Sequence, residues 1–183
     1  MTIPNILTVF RIVLVPIYLY LFYSSGEERL VYAGTAFVIA GITDVLDGYI
    51  ARKYNQTTDV GAVLDPLADK LMTFAVLISF TMAEMIPYWI LLIIGLKEIV
   101  MIFGGLILYL FKGNKVLPSN KFGKAATIFF YASILSVMFK THLSVIRILF
   151  SVMIILNIIA FLNYLTIYLY MRDKSGIGYR QVI

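Results

Sequence analysis

Seven stretches of the chain, 12–26, 30–43, 71–83, 85–96, 99–111, 125–139 and 148–171, contain no Asp, Glu, Lys or Arg. Between them lie breakers: Ser24-Ser25-Gly26, Asn55 to Thr58, Pro87, Gly113-Asn114, Pro118-Ser119-Asn120 and Thr141-His142. This pattern predicts six helices, near residues 4–23, 30–53, 62–84, 87–111, 122–140 and 143–172. Runs this continuous lack the alternation of a barrel strand, and a helix satisfies its own backbone in lipid. Only the last run reaches the roughly 20 residues that a bilayer span needs unaided. The others become spans by carrying a few charges inside the helix or at its ends. The expected fold is an all-α integral membrane protein with six transmembrane helices, forming a single domain over residues 1–183. Intramembrane charge is costly and is kept for a purpose, so the few charges are where function is sought.

Composition sharpens this. The chain is 61% hydrophobic and 14% charged, against the usual quarter. It has no cysteine, which excludes disulfides, thiolate catalysis and zinc–thiolate sites. The one histidine, His142, cannot build a histidine metal cluster. Arg11 precedes an apolar stretch with no small-x-small cleavage site after it, so the opening segment reads as a retained helix. With the N-terminus inside, Arg52, Lys53, Lys70, Lys112, Lys115, Lys121, Lys124, Arg172, Lys174 and Arg180 face the cytoplasm. Only Arg29, Lys140 and Arg147 then fall outside. That bias predicts both termini in the cytoplasm, with the net charge of +5 facing anionic lipid. Trp89, just after Pro87, reads as an anchor at the outer interface. Membrane lipids are expected partners, and nucleic acid is not.

Five of the ten acidic residues lie between Asp44 and Lys70. Asp44 and Asp47 are three apart near the end of the second predicted helix. Asp65 and Asp69 are four apart at the start of the third. Each spacing puts a pair on one helix face, and a short loop joining antiparallel helices lets the pairs converge. Four carboxylates in a partly desolvated place repel one another. Two divalent ions would balance them, and an all-oxygen donor set favours Mg²⁺, Mn²⁺ or Ca²⁺. The plainer reading is solvated acids paired with Arg52, Lys53 and Lys70. Gly48 and Gly61 beside them either let a ligand approach or serve helix packing. Asp65-Pro66 reads as a helix cap followed by proline at the first helical position.

The stretch spells D-x2-D-G-x2-A-R-x8-G-x3-D-x3-D through Asp44, Asp47, Gly48, Ala51, Arg52, Gly61, Asp65 and Asp69. It resembles the signature of the CDP-alcohol phosphatidyltransferases at every fixed position. That resemblance implies transfer of a phosphatidyl group from CDP-diacylglycerol to an alcohol, with release of CMP. It implies two metal ions, Mg²⁺ or Mn²⁺, on Asp44, Asp47, Asp65 and Asp69, with Asp69 also the base. It places Gly48, Arg52 and Thr58, and the segment Asn5, Ile6, Leu7 and Thr8, against the CDP-diacylglycerol donor. It further implies a homodimer, multi-pass in the cell membrane, with its site facing the cytoplasm.

Within the family the chain is similar to the branch that uses glycerol 3-phosphate, in Ile3 to Arg11 and in Leu64 to Lys70. Arg11, Lys97, Lys121 and Lys124 are the cations available for such an anionic acceptor. Two positions depart from that branch. Lys97-Glu98 stands where Arg-Glu is common, and Ala126 stands where a second lysine follows Lys124. Phosphatidylglycerol and an inositol phosphate therefore stay open as acceptors. Lys97 and Glu98 also fit a structural ion pair, and Arg11 also fits a side chain reaching to the inner interface. A divalent-cation transporter is the competing class. It would need polar residues through the bilayer, yet 30–42 and 71–83 contain no ionisable residue except Tyr32. A non-catalytic scaffold would not need four such carboxylates.

Overall fold

The computed structural model describes residues 2–54, 56, 58–111 and 121–177. Its α-helices are α1 (Ile3–Ser24), α2 (Arg29–Lys53), α3 (Asp59–Met82), α4 (Tyr88–Phe111), α5 (Lys121–Met138) and α6 (Leu143–Ile177), with one 3-10 turn at Gly26–Glu28. There is no strand among the described residues. Among the described residues three helical segments are long and apolar enough to cross a membrane: Ile3–Ser24, Gly26–Ala51 and Leu143–Thr166. Large apolar side chains such as Tyr20, Val45, Leu92, Ile128 and Ile148 stand exposed on these and other helices. Apolar surface of this extent belongs against lipid or protein, and the chain is a membrane protein. The breaks at Gly113-Asn114 and Pro118-Ser119-Asn120, and the cations Lys112, Lys115 and Arg180, lie outside the described residues.

The chain divides into two compact units, 1–92 and 93–183. In the first, α1 packs against both α2 and α3. The buried face of α1 is polar in its first turns, with Asn5, Thr8 and Arg11, and apolar beyond, with Leu14, Tyr18 and Phe22. On α2 the order is reversed, as an antiparallel neighbour requires: Ala33, Ala36, Phe37 and Ala40 come first, then Thr43 and Asp47. The alanines let backbones approach closely. At the apolar end, Phe22 stacks on Phe80 of α3 with ring centroids 5.8 Å apart. The polar end is where the first turns of α1 and α3 meet the last turns of α2. In the second unit α5 packs on α6 around Phe130, Ile134, Met153 and Ile154.

One helix start and three helix ends differ from the sequence pattern by two residues or more, α6 running on to Ile177. The third helix begins at Asp59, not near 62, because Thr58 caps it: its hydroxyl accepts the Gly61 N–H at 3.0 Å. Asp65-Pro66 is therefore not a helix start, and Pro66 lies inside α3. The third and fifth helices stop two residues before the pattern suggests. Glu84 (φ 56°) and Lys140 (φ 49°) adopt the left-handed conformation. Each is followed by a residue whose N–H reaches back, Met85 to the Phe80 carbonyl and Thr141 to the Ser136 carbonyl. These are Schellman ends made without the usual glycine.

Candidate functional site

At the polar end of the first unit, Arg11 is 2% exposed. One terminal nitrogen donates to Asp44 Oδ1 and the other to Asp47 Oδ2. The second of these nitrogens also lies 3.8 Å from Asp65 Oδ1. A single guanidinium on α1 thus gathers carboxylates from α2 and α3. Thr8, one turn before Arg11, donates its hydroxyl to Asp65 and also approaches the Pro4 carbonyl at 3.0 Å. Asp69, one turn further along α3, pairs with Lys70 at 3.0 Å and lies within electrostatic reach of Asp44. The four carboxylates that the spacing singled out are thereby drawn to one end of three helices. They differ in access: the Asp47 side chain is 5% exposed, those of Asp44, Asp65 and Asp69 between 31% and 44%.

The position of Arg11 was not legible as a cluster member. By sequence Arg11 groups with the lysines as a cation for the acceptor, or fits a side chain reaching to the interface. Its signal was the ladder Asn5, Thr8, Arg11, three residues apart each time, which puts all three on one face of α1.

A second contact fixes the start of α3 against α1. Thr58 Oγ1 lies 3.0 Å from Asn5 Oδ1, and the hydroxyl donates to that amide oxygen. A Cβ on Gly61 would fall 2.8 Å from Asn5 Oδ1 and 3.1 Å from Thr58 Oγ1. Glycine there leaves room for the Asn5 and Thr58 side chains. Gly61→Ala should gain up to about 1 kcal/mol of helix propensity but lose about 1–3 kcal/mol to overpacking. The expected result is a lower unfolding midpoint, and a smaller drop in an Asn5→Ala background, where the nearer of the two contacts is gone. A Gly61→Ala protein as stable as the parent would remove this account.

Of the other sequence-predicted positions, Asn5 and Thr8 are buried, Leu7 is half-buried and Ile6 is exposed. Gly48 follows Asp47 on α2 and is half-buried. Arg52 is in the last turn of α2, with its side chain outside the described residues. Lys97, Lys121 and Lys124 belong to the second unit. There Lys97 Nζ donates to Glu98 Oε1 at 2.6 Å and to Asn157 Oδ1 of α6 at 3.0 Å. Lys121 and Lys124 are exposed in the first turn of α5.

Among the described residues no three acidic or histidine side chains converge closely enough to form a metal site as they stand. The donor set nevertheless fits hard divalent ions, being all carboxylate oxygen. Among the described ion pairs, Arg11 and Lys70 supply two positive charges against the four negative ones of Asp44, Asp47, Asp65 and Asp69.

A family model described as CDP-alcohol phosphatidyltransferase matches residues 1–170. The chain is 36% identical over 140 residues to the CDP-diacylglycerol–glycerol-3-phosphate 3-phosphatidyltransferase of Aquifex aeolicus, covering 75% of each protein. It is 32% identical over 181 residues to the protein of the same name in Wigglesworthia glossinidia brevipalpis, covering 94% of this chain and 97% of that one. A Mycobacterium tuberculosis protein with a provisional cardiolipin synthase name is 35% identical over 130 residues, covering 71% of this chain and 61% of that one.

Proposed function

The chain belongs to the CDP-alcohol phosphatidyltransferase family, and from that premise we propose that it makes phosphatidylglycerophosphate and CMP from CDP-diacylglycerol and sn-glycerol 3-phosphate. The observation that carries the reading is the gathering of Asp44, Asp47 and Asp65 about Arg11 where α1, α2 and α3 meet, with Asp69 one turn beyond Asp65 on the same face of α3. The match over 94% of the chain to a relative named for this reaction supports the acceptor.

At phosphorus the reaction forms one bond and breaks one. The acceptor hydroxyl oxygen attacks the phosphorus that bears the diacylglycerol. The bond from that phosphorus to the bridging oxygen breaks, and its electron pair leaves with CMP. Asp69 takes the hydroxyl proton, as a carboxylate within hydrogen-bond reach can. Asp44, Asp47, Asp65 and Asp69 would hold two Mg²⁺ or Mn²⁺ ions, which when bound neutralise the donor's pyrophosphate and the departing phosphate. Arg52 offers its fork of donors to phosphate oxygens. Gly48 leaves room for the donor, while Thr58, Asn5, Ile6, Leu7 and Thr8 border its CDP part. Lys97, Lys121 and Lys124 are the cations for the acceptor's phosphate. Arg11, grouped with them by charge, has both terminal nitrogens on carboxylates.

The same proposal puts the polar end of α1, α2 and α3 at the cytoplasmic surface of the cell membrane. Six spans, both termini inside, form one membrane domain over residues 1–183, working as a homodimer. The donor's acyl chains then stay in lipid while its headgroup reaches water-soluble acceptor.

A second reading keeps the chemistry and makes phosphatidylglycerol the acceptor. The mycobacterial relative favours it, as does Ala126 in place of a second lysine. The deciding experiment is CMP release from CDP-diacylglycerol by the purified protein with Mg²⁺ or Mn²⁺, across a panel of acceptors. Glycerol 3-phosphate is expected to give the highest kcat/KM. A better phosphatidylglycerol or inositol phosphate would reassign the acceptor and leave the family intact.

A further inference from the structure

Arg11 does not sit where a topology-setting arginine sits. It is 2% exposed, so it does not reach water, and a buried charge is retained only against compensating partners. Its fork is divided between two acids of one helix, Asp44 and Asp47, with Asp65 of α3 at 3.8 Å. Its Nε is buried with no hydrogen-bond partner among the described residues. The terminal nitrogens are thus committed to the carboxylates while the rest of the group is left unsatisfied. Asp44 and Asp47, three apart on one helix face, would repel each other without a cation between them.

We propose that Arg11 is a positioning residue: an internal counter-cation that holds Asp44 and Asp47 together in the metal-free protein and exchanges places with divalent metal at their oxygens. The inference rests on the metal reading given above. Asp44 Oδ1 and Asp47 Oδ2 are the atoms that accept from Arg11, and they belong to two of the four residues assigned to the ions. A positive charge a few ångströms from an arriving cation repels it strongly in a partly desolvated site. Arg11 therefore stabilises the metal-free site and weakens metal binding. The same guanidinium, once displaced, keeps its charge beside a site that takes a pyrophosphate.

The test uses the full chain in detergent micelles without substrate. Mn²⁺ binding is followed by the loss of the free-Mn²⁺ paramagnetic resonance signal, and unfolding midpoints are measured in EDTA and in Mn²⁺. Arg11→Gln is expected to unfold at lower temperature in EDTA, to bind Mn²⁺ about tenfold more tightly, and to gain more from Mn²⁺ than the parent. Arg11→Lys keeps the charge without the fork and should fall between the two; it decides the matter where Arg11→Gln does not fold. Mn²⁺ affinity unchanged or weaker in the variant that folds overturns the exchange. A parent protein that binds no Mn²⁺ removes the metal reading itself, and the exchange with it.

Discussion

Asp47→Asn is expected to reduce turnover by more than about 100-fold and to cost stability as well. Outer partners of metal ligands already cost about 10–100-fold when removed, and Asp47 is assigned as a ligand. Asp44→Asn and Asp65→Asn should match it in lost turnover, since each substitution removes one charge with little change of shape. Stability should separate the three. Arg11 is buried, and its partner Asp47 has a side chain only 5% exposed. Taking one partner from a buried pair typically costs about 3–5 kcal/mol. Asp44 still accepts from Arg11, so the loss for Asp47→Asn should lie near about 3 kcal/mol. Asp44 and Asp65 have side chains 41% and 44% exposed, and solvent screens what they contribute. The measurements are kcat for each variant at ordinary Mg²⁺ or Mn²⁺, and unfolding midpoints in EDTA. Near-normal turnover in any two variants would end the shared-site account. Equal midpoints in all three would end the special place of Asp47.

The helices were readable because lipid-facing segments must be apolar for most of their length, and the gaps between them are chemically distinct. Their ends were readable only where the ending residue advertises itself. Glu84 and Lys140 do the work usually given to glycine, so no composition signal marks the last turns of α3 and α5. The start of α3 was obscured by Pro66, whose usual place is a first turn, while Thr58 caps the helix seven residues before Asp65. The four aspartates were readable because spacings of three and four survive on any helix. The closure of Asp44, Asp47 and Asp65 around Arg11 was not. It depends on α1 packing against α2 and α3, a long-range fact that no local spacing encodes. The ladder from Asn5 to Arg11 held half of it, in the form of a polar stripe on a helix otherwise apolar on that face. Lys97 presents the opposite case: its adjacency to Glu98 was visible, but its contact with Asn157, sixty residues on, was not.

Asp69→Asn is expected to leave CDP-diacylglycerol binding in place while transfer collapses by about 10²–10⁴-fold. The position of Asp69 sets it apart from the other three. Arg11 makes its ion pairs with Asp44, Asp47 and Asp65, whereas Asp69 pairs with Lys70 at 3.0 Å. It stands one turn beyond Asp65 on the same face of α3, with a side chain 31% exposed. A carboxylate so placed is near the site's charge and still open to an incoming hydroxyl. A base acts only as the proton leaves, so its loss should fall on the bound-state rate and not on donor affinity. Arg52→Ala should behave in the opposite sense, weakening the donor more than it slows bound-state chemistry, because a phosphate fork holds ground state and transition state alike. Donor affinity and single-turnover rate, measured separately in both variants, distinguish the roles. Should Asp69→Asn lose the donor while turning over normally once saturated, Asp69 is a ligand only, and the hydroxyl proton leaves through another acceptor or through solvent.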